Sequence, residues 1–219
     1  MISTDGGIMK YLLCILIGYL IGSINPSYII SKLRGGDIRE KGSGNAGASN
    51  ALIVYGKLIG VFCALFDIAK AFFAVWLMQS MFPELPLAFA ITAVASILGH
   101  IFPFYMKFRG GKGLASLGGV VLAYNWLVFL IMLVGAIIMG LITNYICFIP
   151  MTAAVVFPIV YGVMRKDLIG ALILYIAAVV ILFKHRQNIK RIRNGTEVRL
   201  SYLWNKDKEI ERVKKNQED

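Results

Sequence analysis

The sequence predicts an all-α, polytopic membrane protein with about seven transmembrane helices, some of them short or broken. Of its 219 residues, 58% are hydrophobic and only 16% are charged, whereas soluble domains are about 45 to 50% apolar and about 25% charged. The apolar residues are gathered in runs close to the roughly 20 residues that cross a bilayer as a helix. This composition excludes a soluble single domain. It also excludes disorder, because the chain has so much apolar surface to bury.

Five apolar runs carry this prediction, at residues 8–31, 52–79, 86–106, 114–163 and 168–183. The first run is interpreted as a retained helix, because no small-x-small cleavage site follows it. Between the runs, 18 of the 23 Lys and Arg residues lie in the segments 32–49, 107–112 and 184–219. Short basic loops stay in the cytoplasm, so we expect these segments and the C-terminus to be cytoplasmic. The loop at 82–87 has no Lys or Arg and should be external, together with the N-terminus.

The long run after residue 114 must contain an odd number of crossings if the chain is to return to the cytoplasm by His185. A single crossing would leave about thirty apolar residues unplaced by the ~20-residue rule, so three short crossings are predicted. They are 114–124, 127–142 and 146–163, with breaks expected at Asn125, Asn144, Pro150 and Pro158. This arrangement leaves Arg165 and Lys166 outside.

The chain is expected to form one integral-membrane domain over residues 1–197, followed by a charged cytoplasmic tail over 198–219. Basic and acidic residues alternate in this tail, which is typical of a solvated helix or a frayed segment near anionic headgroups. The three cysteines are scattered among the apolar runs (Cys14, Cys63 and Cys147), which favours packing roles over a disulfide or a metal site. No metal or other cofactor is predicted.

Two charged residues lie inside the second apolar run, at a spacing of three. Charges within a membrane helix are costly. We therefore expect Asp67 and Lys70 to pair with each other, or to face the bundle near its cytoplasmic end. A proton or ion relay is the functional alternative, although one pair gives it little support.

The first basic loop carries closely spaced glycines followed by polar residues. Gly42, Gly44 and Gly47 fit the G-x-G-x-x-G spacing, but the strand and βαβ context of a dinucleotide site is missing. Such glycines still let backbone N–H groups converge, and a helix beginning near Asn50 would add its positive end, so the loop could hold phosphate. Ser43 and Asn45 would add side-chain donors. The alternative is an ordinary flexible turn with Asn50 as the helix N-cap.

The second basic loop places three glycines around one lysine, just before a predicted helix. Gly110, Gly111 and Gly113 surround Lys112, but the residues around them do not form a Walker A motif. The pattern favours a second anion site with a fixed positive charge. A simple positive-inside anchor is the alternative, and it leaves the glycines unexplained.

The third segment continues the last apolar run with polar residues at helical spacing. His185, Asn188 and, less closely, Arg191 fall on one helix face, where imidazole, amide and guanidinium could act together. Such a face at the membrane surface suits an acid/base group beside phosphate ligands. A basic stretch that attracts anionic lipid is the alternative. Together, the three loops predict a site for a substrate pair that carries two phosphates.

These motifs resemble those of the bacterial acyl-phosphate:glycerol-3-phosphate acyltransferase (PlsY) family over about Tyr11 to Glu197. The residues that carry the resemblance are Gly42-Ser43-Gly44-Asn45-x-Gly47-Ala48, Gly99-His100-x-Phe102-Pro103, Lys107-Phe108-Arg109-Gly110-Gly111-Lys112-Gly113, His185-Arg186-x-Asn188-Ile189 and Gly195-x-Glu197. The resemblance implies transfer of a fatty acyl group from acyl phosphate to glycerol 3-phosphate, which gives lysophosphatidic acid in the first acylation of phospholipid synthesis.

The resemblance also implies where the protein acts and what it meets. It implies a multi-pass protein of the bacterial cell membrane that contacts membrane lipid, with the cytoplasmic enzyme that supplies acyl phosphate as a candidate partner. Nucleic acid is not an expected partner. It further implies that Glu197 belongs to the substrate site.

One departure from the family pattern concerns the first motif. The family's Ala-Thr-Asn-x-x-Arg is replaced here by Ala48-Ser49-Asn50-Ala51-Leu52-Ile53. Ile53 removes a guanidinium suited to holding a substrate phosphate, for which Lys57 would compensate only in part. The change leaves room for a divergent paralogue with another acceptor.

The expected chemistry is direct attack of an acceptor hydroxyl on the acyl carbonyl, because an acyl phosphate already has a good leaving group. No G-x-S-x-G or His-x-x-x-x-Asp motif supplies a covalent or acyltransferase alternative. We expect the two glycine loops to hold the phosphates, and Lys112 to counter charge on the leaving phosphate. Asn188 and Ser43 would orient the acceptor or the oxyanion. His185 is the favoured base, with a phosphate oxygen as the alternative.

Two other function classes remain open at the level of the sequence. A transporter of a phosphorylated or anionic solute would use the same basic glycine loops. However, the polar groups lie in loops and not at mid-membrane, and no inverted repeat is visible. A non-catalytic lipid-binding membrane subunit is the third possibility.

Overall fold

The computed structural model of the chain describes residues 4–218, which form ten α-helices, three 3-10 turns and no β-strand. The helices are α1 (Thr4–Ser23), α2 (Pro26–Leu33), α3 (Ala48–Tyr55), α4 (Lys57–Met81), α5 (Ala88–Ile101), α6 (Leu114–Tyr124), α7 (Trp126–Thr143), α8 (Phe148–Arg165), α9 (Leu168–Arg193) and α10 (Lys206–Glu218). The 3-10 turns are Ile38–Glu40, Phe104–Met106 and Leu200–Leu203. The predicted all-α class is confirmed.

Six segments are long and apolar enough to cross a membrane, within the part of the chain that the structure describes. They are α1, α4, α5 with the 3-10 turn that follows it, α7, α8 and α9, and α6 is a shorter apolar helix of 11 residues. The three helices after residue 114 follow the predicted crossings to within about three residues. The expectation of about seven apolar helices, some of them short, therefore agrees with the structure.

The helix breaks after residue 114 occur at asparagines and not at prolines. The side chain of Asn125 accepts hydrogen bonds from the N–H groups of Leu127 and Val128, so Asn125 caps α7. Asn144 ends α7 in the left-handed conformation, which asparagine tolerates. The predicted breaks at Pro150 and Pro158 are wrong. Pro150 lies in the first turn of α8, where an N–H has no partner within the helix. α8 continues through Pro158. Membrane helices tolerate proline because neighbouring groups can bond the backbone carbonyl that it leaves without a donor.

Two breaks that the apolar runs did not reveal shape the surroundings of the first basic loop. The first run divides at Asn25, whose side chain accepts from Tyr28 N at 2.8 Å and donates to Ala46 O at 2.8 Å. The second run divides at Gly56, whose φ of 92° suits glycine. As a result α2 and α3 are short helices that flank this loop.

Close packing of small residues joins α1 to the central helix α5. Twelve of the 14 residues of α5 are buried. A Cβ atom on Gly22 would stand 2.1 Å from Ser96 O, and one on Gly99 would stand 2.3 Å from Tyr19 O. Membrane helices use such small residues to bring their backbones together. This contact fixes α5, and with it the loop that follows.

The motif loops lie at one end of the bundle, and the turn at 82–87, which has no Lys or Arg, lies at the other. Lys10 pairs with Glu84, which places the start of α1 beside the turn between α4 and α5. That turn and the α8–α9 turn line one cavity of about 470 Å³, which includes Arg165 and Asp167. Arg165 is therefore at the end predicted to be external. The orientation of the bundle in the membrane stays a prediction.

The charges inside α4 are paired, as expected. Lys70 Nζ lies 2.6 Å from Asp67 Oδ1, and both side chains are buried. His100 of α5 joins them, with its Nδ1 3.1 Å from Lys70 Nζ and 3.3 Å from Asp67 Oδ1. Lys70 also donates to Ile24 O at the end of α1. This buried cluster of Asp67, Lys70 and His100 connects three helices.

Candidate active site

The first basic loop is organised around the side chain of Asn50. Its Oδ1 accepts from Ser43 N at 2.8 Å, and its Nδ2 donates to Ile38 O at 3.0 Å and to Lys41 O at 2.9 Å. Asn50 is fully buried in the first turn of α3, and the N-cap position belongs to Gly47. Asn50 is therefore neither an N-cap nor a free phosphate ligand. It holds the loop in shape.

The glycines of this loop allow its tight path and its contact with the second loop. Gly42 has a φ of 56°, and a Cβ atom there would stand 2.3 Å from Asn50 Oδ1. Gly44 also has a positive φ. A Cβ on Gly47 would come within 2.7 Å of the Asn45 amide nitrogen and 4.0 Å of Gly111 Cα. The two glycine loops therefore meet at Gly47 and Gly111.

The donors available at the first loop are those of the α3 N-terminus. The N–H groups of Ala48 and Ser49 have no acceptor among residues 4–218, as expected for the first turn of a helix. Ser43 is exposed, and it bonds Asn50 through its backbone N–H and not through its hydroxyl. These groups and Asn45 lie at the positive end of a helix, an environment that favours an anion.

The second loop is held by the end of α5. Gly110 N donates to Ile101 O at 3.0 Å, and Gly111 N donates to His100 O at 3.1 Å. The carbonyls at the end of α5 therefore occupy these two N–H groups, which are not free for phosphate, and the predicted anion site in this loop depends on Lys112. Their role is steric: a Cβ on Gly111 would stand 2.0 Å from His100 Nε2. Gly113, with a φ of 94°, is the N-cap of α6.

Lys112 connects the second motif to the third. Its Nζ donates to Asn188 Oδ1 at 2.5 Å, and Asn188 Nδ2 donates to Glu197 Oε1 at 2.5 Å. The other oxygen of Glu197 pairs with Arg191 Nε at 2.6 Å. Asn188 and Glu197 are buried. We call this row of Lys112, Asn188, Glu197 and Arg191 the polar chain.

The pKa of Lys112 is lowered to about 8, chiefly by burial and then by the positive charge of Arg191, while Glu197 opposes the shift. The lysine is therefore mostly protonated at pH 7 and loses its proton as the pH rises through about 8. Both oxygens of Glu197 are already bonded, and a carboxylate would repel phosphate. Neither oxygen is therefore free for a substrate, and the geometry suits Glu197 to holding Asn188 and Arg191 in place.

His185 lies one helical turn before Asn188 on the same face of α9. It is buried, and its Nδ1 lies 2.8 Å from Ile181 O. A ring nitrogen this close to a carbonyl must carry the proton. The other nitrogen, Nε2, then has a free lone pair, which is the form that a general base requires.

The chain matches the glycerol-3-phosphate acyltransferase family model over residues 12–195. A glycerol-3-phosphate acyltransferase of Thermotoga petrophila is 37% identical over 83% of this chain and 92% of its own length. One of Bacillus subtilis is 36% identical over 89% of this chain and all of its own length. The chain belongs to this family.

Solved structures agree with this family membership. The chain resembles the crystal structure of PlsY (YgiH), an integral membrane glycerol 3-phosphate acyltransferase, in its glycerol 3-phosphate form. The TM-score is 0.81 and the identity 32%, over 88% of this chain and 96% of that one. The lysophosphatidic acid form of PlsY matches with a TM-score of 0.77 and 31% identity, over 86% of this chain and 94% of that one.

This acyltransferase family member holds its first two loops together through a pair that sequence reasoning missed. Arg39 donates Nε to Asp37 Oδ1 at 2.9 Å and Nη2 to Asp37 Oδ2 at 2.6 Å, and its Nη1 reaches Met106 O at 2.6 Å. Hydrogen bonding to Arg39 holds the pKa of Asp37 well below its usual range. The Asp-x-Arg spacing is visible in the sequence, but Met106, whose carbonyl Arg39 binds, lies 67 residues away.

The departure at residue 53 lies on α3, directly after the first motif. Ile53 is half-buried. Because its side chain is apolar, this position supplies no guanidinium to the loop. Lys57 begins α4 beyond the break at Gly56 and is exposed. Whether Lys57 compensates stays a prediction.

Proposed function

We propose that this protein is a membrane acyltransferase that moves a fatty acyl group from acyl phosphate to glycerol 3-phosphate and releases lysophosphatidic acid. The observation that carries the proposal is the polar chain, which brings Lys112 and Asn188 together beside the point where the two glycine loops meet. The relatives named as glycerol-3-phosphate acyltransferases support the acceptor and the reaction class.

The geometry suits two phosphates held on different elements. The free N–H groups at the start of α3, with Ser43 and Asn45, suit one phosphate. Lys112, next to the first turn of α6, suits the other because a cation and a helix N-terminus both favour an anion. Gly42, Gly44, Gly47, Gly110, Gly111 and Gly113 shape these two places and leave room for the ligands. Arg191 adds positive charge at the far end of the polar chain.

The reaction needs one bond to form and one to break. The acceptor hydroxyl oxygen attacks the acyl carbonyl carbon, and the bond from that carbon to the phosphate oxygen breaks. The phosphate leaves with the electron pair, and protonated Lys112 stabilises its charge. The hydroxyl proton passes to His185 Nε2, or directly to a phosphate oxygen of the donor.

Asn188 is suited to orienting the reacting groups. Its oxygen accepts from Lys112 and one of its N–H groups serves Glu197. The second N–H of the amide remains to support the acceptor or the developing oxyanion. Because the amide is fixed on both sides, it needs no reorganisation during the reaction.

The basic loops place this end of the bundle at the cytoplasmic surface of a bacterial cell membrane. There the phosphates of both substrates stay in water while the acyl tail enters the lipid. Acyl phosphate would arrive from the cytoplasmic enzyme that makes it, which is the partner we expect at this surface.

Purified protein tests the proposal when it is incubated with acyl phosphate and labelled glycerol 3-phosphate. Lysophosphatidic acid should appear with acyl phosphate and not with acyl-CoA or acyl carrier protein as donor. Product from another donor would overturn the donor assignment. Absence of any product, with uptake of the labelled solute into vesicles, would favour transport.

The replacement of the family's arginine by Ile53 favours one second candidate, an acyltransferase with a different acceptor. The same assay with glycerol and with other phosphorylated polyols as acceptors separates the two. Higher kcat/KM for one of these over glycerol 3-phosphate would support the second candidate.

A further inference from the structure

The C-terminal segment packs across the predicted domain boundary onto the turn that carries Glu197. Arg212 of α10 donates to Gly195 O and, at 2.6 Å, to Glu197 O. Asn216 donates to Gly195 O at 2.9 Å. Of the two expectations for the tail, the helix is therefore the one observed, and its hydrogen bonds to the turn that carries Glu197 were not expected. It lies beyond the region matched by the family, which ends at residue 195.

The segment is anchored at two further points. Glu209 is buried, accepts from Arg199 N at 2.8 Å and pairs with Arg212. Leu200 N donates to Asn144 O at 2.7 Å, and Ser201 N donates to Asn144 Oδ1 at 2.9 Å. These bonds attach the segment to the turn between α7 and α8. Arg212 is thus fixed by Glu209 on one side while it holds the backbone of the 195–197 turn on the other.

The 195–197 turn has few other constraints beyond α9. Within the described chain, the N–H groups of Thr196 and Glu197 both donate to Arg191 O. The carbonyls of Gly195 and Glu197 are held by α10 alone. The side chain of Glu197 in turn bonds Asn188 and Arg191, and Asn188 bonds Lys112.

We propose that residues 198–218 form a clamp in which Arg212 is a positioning residue, holding Glu197 so that Asn188 and Lys112 stay aimed at the reacting groups. The proposal rests on the function proposed above. Without the clamp, the 195–197 turn relaxes, Glu197 leaves Asn188, and the amide and the lysine lose their fixed geometry. Because Lys112 faces the leaving phosphate, we assign the acceptor phosphate to the first loop. Among the described residues, this loop makes no hydrogen bond or ion pair with the clamp.

Steady-state kinetics of Arg212→Met in the full chain test this proposal. We expect kcat to fall roughly tenfold, because displacement of catalytic groups by fractions of an ångström is costly. KM for glycerol 3-phosphate should change less than about twofold, since lost transition-state interactions lower kcat and not affinity. Arg212→Lys should restore part of kcat. Lys208→Met is the matched control, because it removes a cation from an exposed position of the same helix.

The pH profile separates positioning from a general loss of folded protein. Lys112 faces Arg191, Lys184 and His185 of α9, Cys147 at the start of α8, and Glu197. When Glu197 moves away, Lys112 loses a stabilising negative charge, so the alkaline limb of kcat should move to lower pH in Arg212→Met. A smaller folded fraction would lower kcat at every pH without moving the alkaline limb.

Each outcome decides the proposal. If the parent is active and kcat of Arg212→Met lies within twofold of the parent value, the proposed function stands while the clamp is overturned. A fall in kcat with an unmoved alkaline limb also overturns it, as does an equal fall in Lys208→Met. If Arg212→Met is poorly folded, Asn216→Ala removes one bond and should show the same shift on a smaller scale. An unmoved limb in that folded variant overturns the clamp. A parent that forms no lysophosphatidic acid overturns the proposed function and the clamp with it.

Discussion

Adding a single methyl group at Gly111 should disable the protein, and the structure shows the size of the perturbation. The new Cβ of Gly111→Ala would stand 2.0 Å from His100 Nε2, 2.7 Å from its Cε1 and 3.0 Å from its Cδ2. His100 cannot move aside, because it is buried and its other nitrogen contacts Lys70 and Asp67. The loop must therefore move, and Lys112 is its next residue.

The expected loss follows from the required displacement. A misplacement of about 1 Å can cost roughly 10²-fold in rate, so we expect kcat/KM to fall about 100-fold. Overpacking of this kind also costs about 1 to 3 kcal/mol of stability. The rate is measured as lysophosphatidic acid formed from acyl phosphate and labelled glycerol 3-phosphate, and the thermal unfolding midpoint is measured on the same preparation.

Gly118→Ala is the matched control, since a Cβ there would meet only Ile68 and Phe129 at 3.8 Å. It should retain the parent activity. The decisive comparison is made in a His100→Ala background, where the ring that causes the clash is absent. If Gly111→Ala lowers kcat/KM by the same factor in that background as in the parent, the contact with His100 does not cause the loss. Our interpretation of the second loop is then wrong.

Three further predictions concern the chemistry. Lys112 has a lowered pKa of about 8, so it is protonated below that pH, and activity should fall as pH rises through about 8. In Lys112→Arg, whose guanidinium stays charged, residual activity should lack this fall; the same fall would assign it to another group. His185→Ala should lower kcat by at least about 10²-fold if the imidazole is the base, whereas activity within a few-fold of the parent would assign the proton to a phosphate oxygen. Ile53→Arg should lower KM for glycerol 3-phosphate roughly tenfold through a charge-assisted hydrogen bond, and an unchanged KM would show the departure to be harmless.

The sequence alone determined the class of the protein, its apolar helices and the residues that form the candidate site. Hydropathy and helix length are properties of local segments, because a membrane helix satisfies its own backbone hydrogen bonds. The crossings after residue 114 were therefore predictable to within about three residues. The pairing of Asp67 with Lys70 was predictable for the same reason, since both lie on one helix.

The tertiary structure decided which groups of the motifs are free to act. Gly110 and Gly111 looked like phosphate donors, yet their N–H groups are used by the end of α5. Asn50 looked like a cap and instead holds the loop around it. Glu197 looked like a substrate ligand, yet its oxygens serve Asn188 and Arg191.

The same limit applies to the partners of distant residues. His100 joins Asp67 and Lys70, Arg39 reaches Met106, and Arg212 reaches back to the site, and each contact depends on how separate helices pack. A hydrogen-bonding group has many potential partners along a chain, and only packing selects one. The sequence therefore determined what the site is made of, while the fold decided which atoms remain available for substrates.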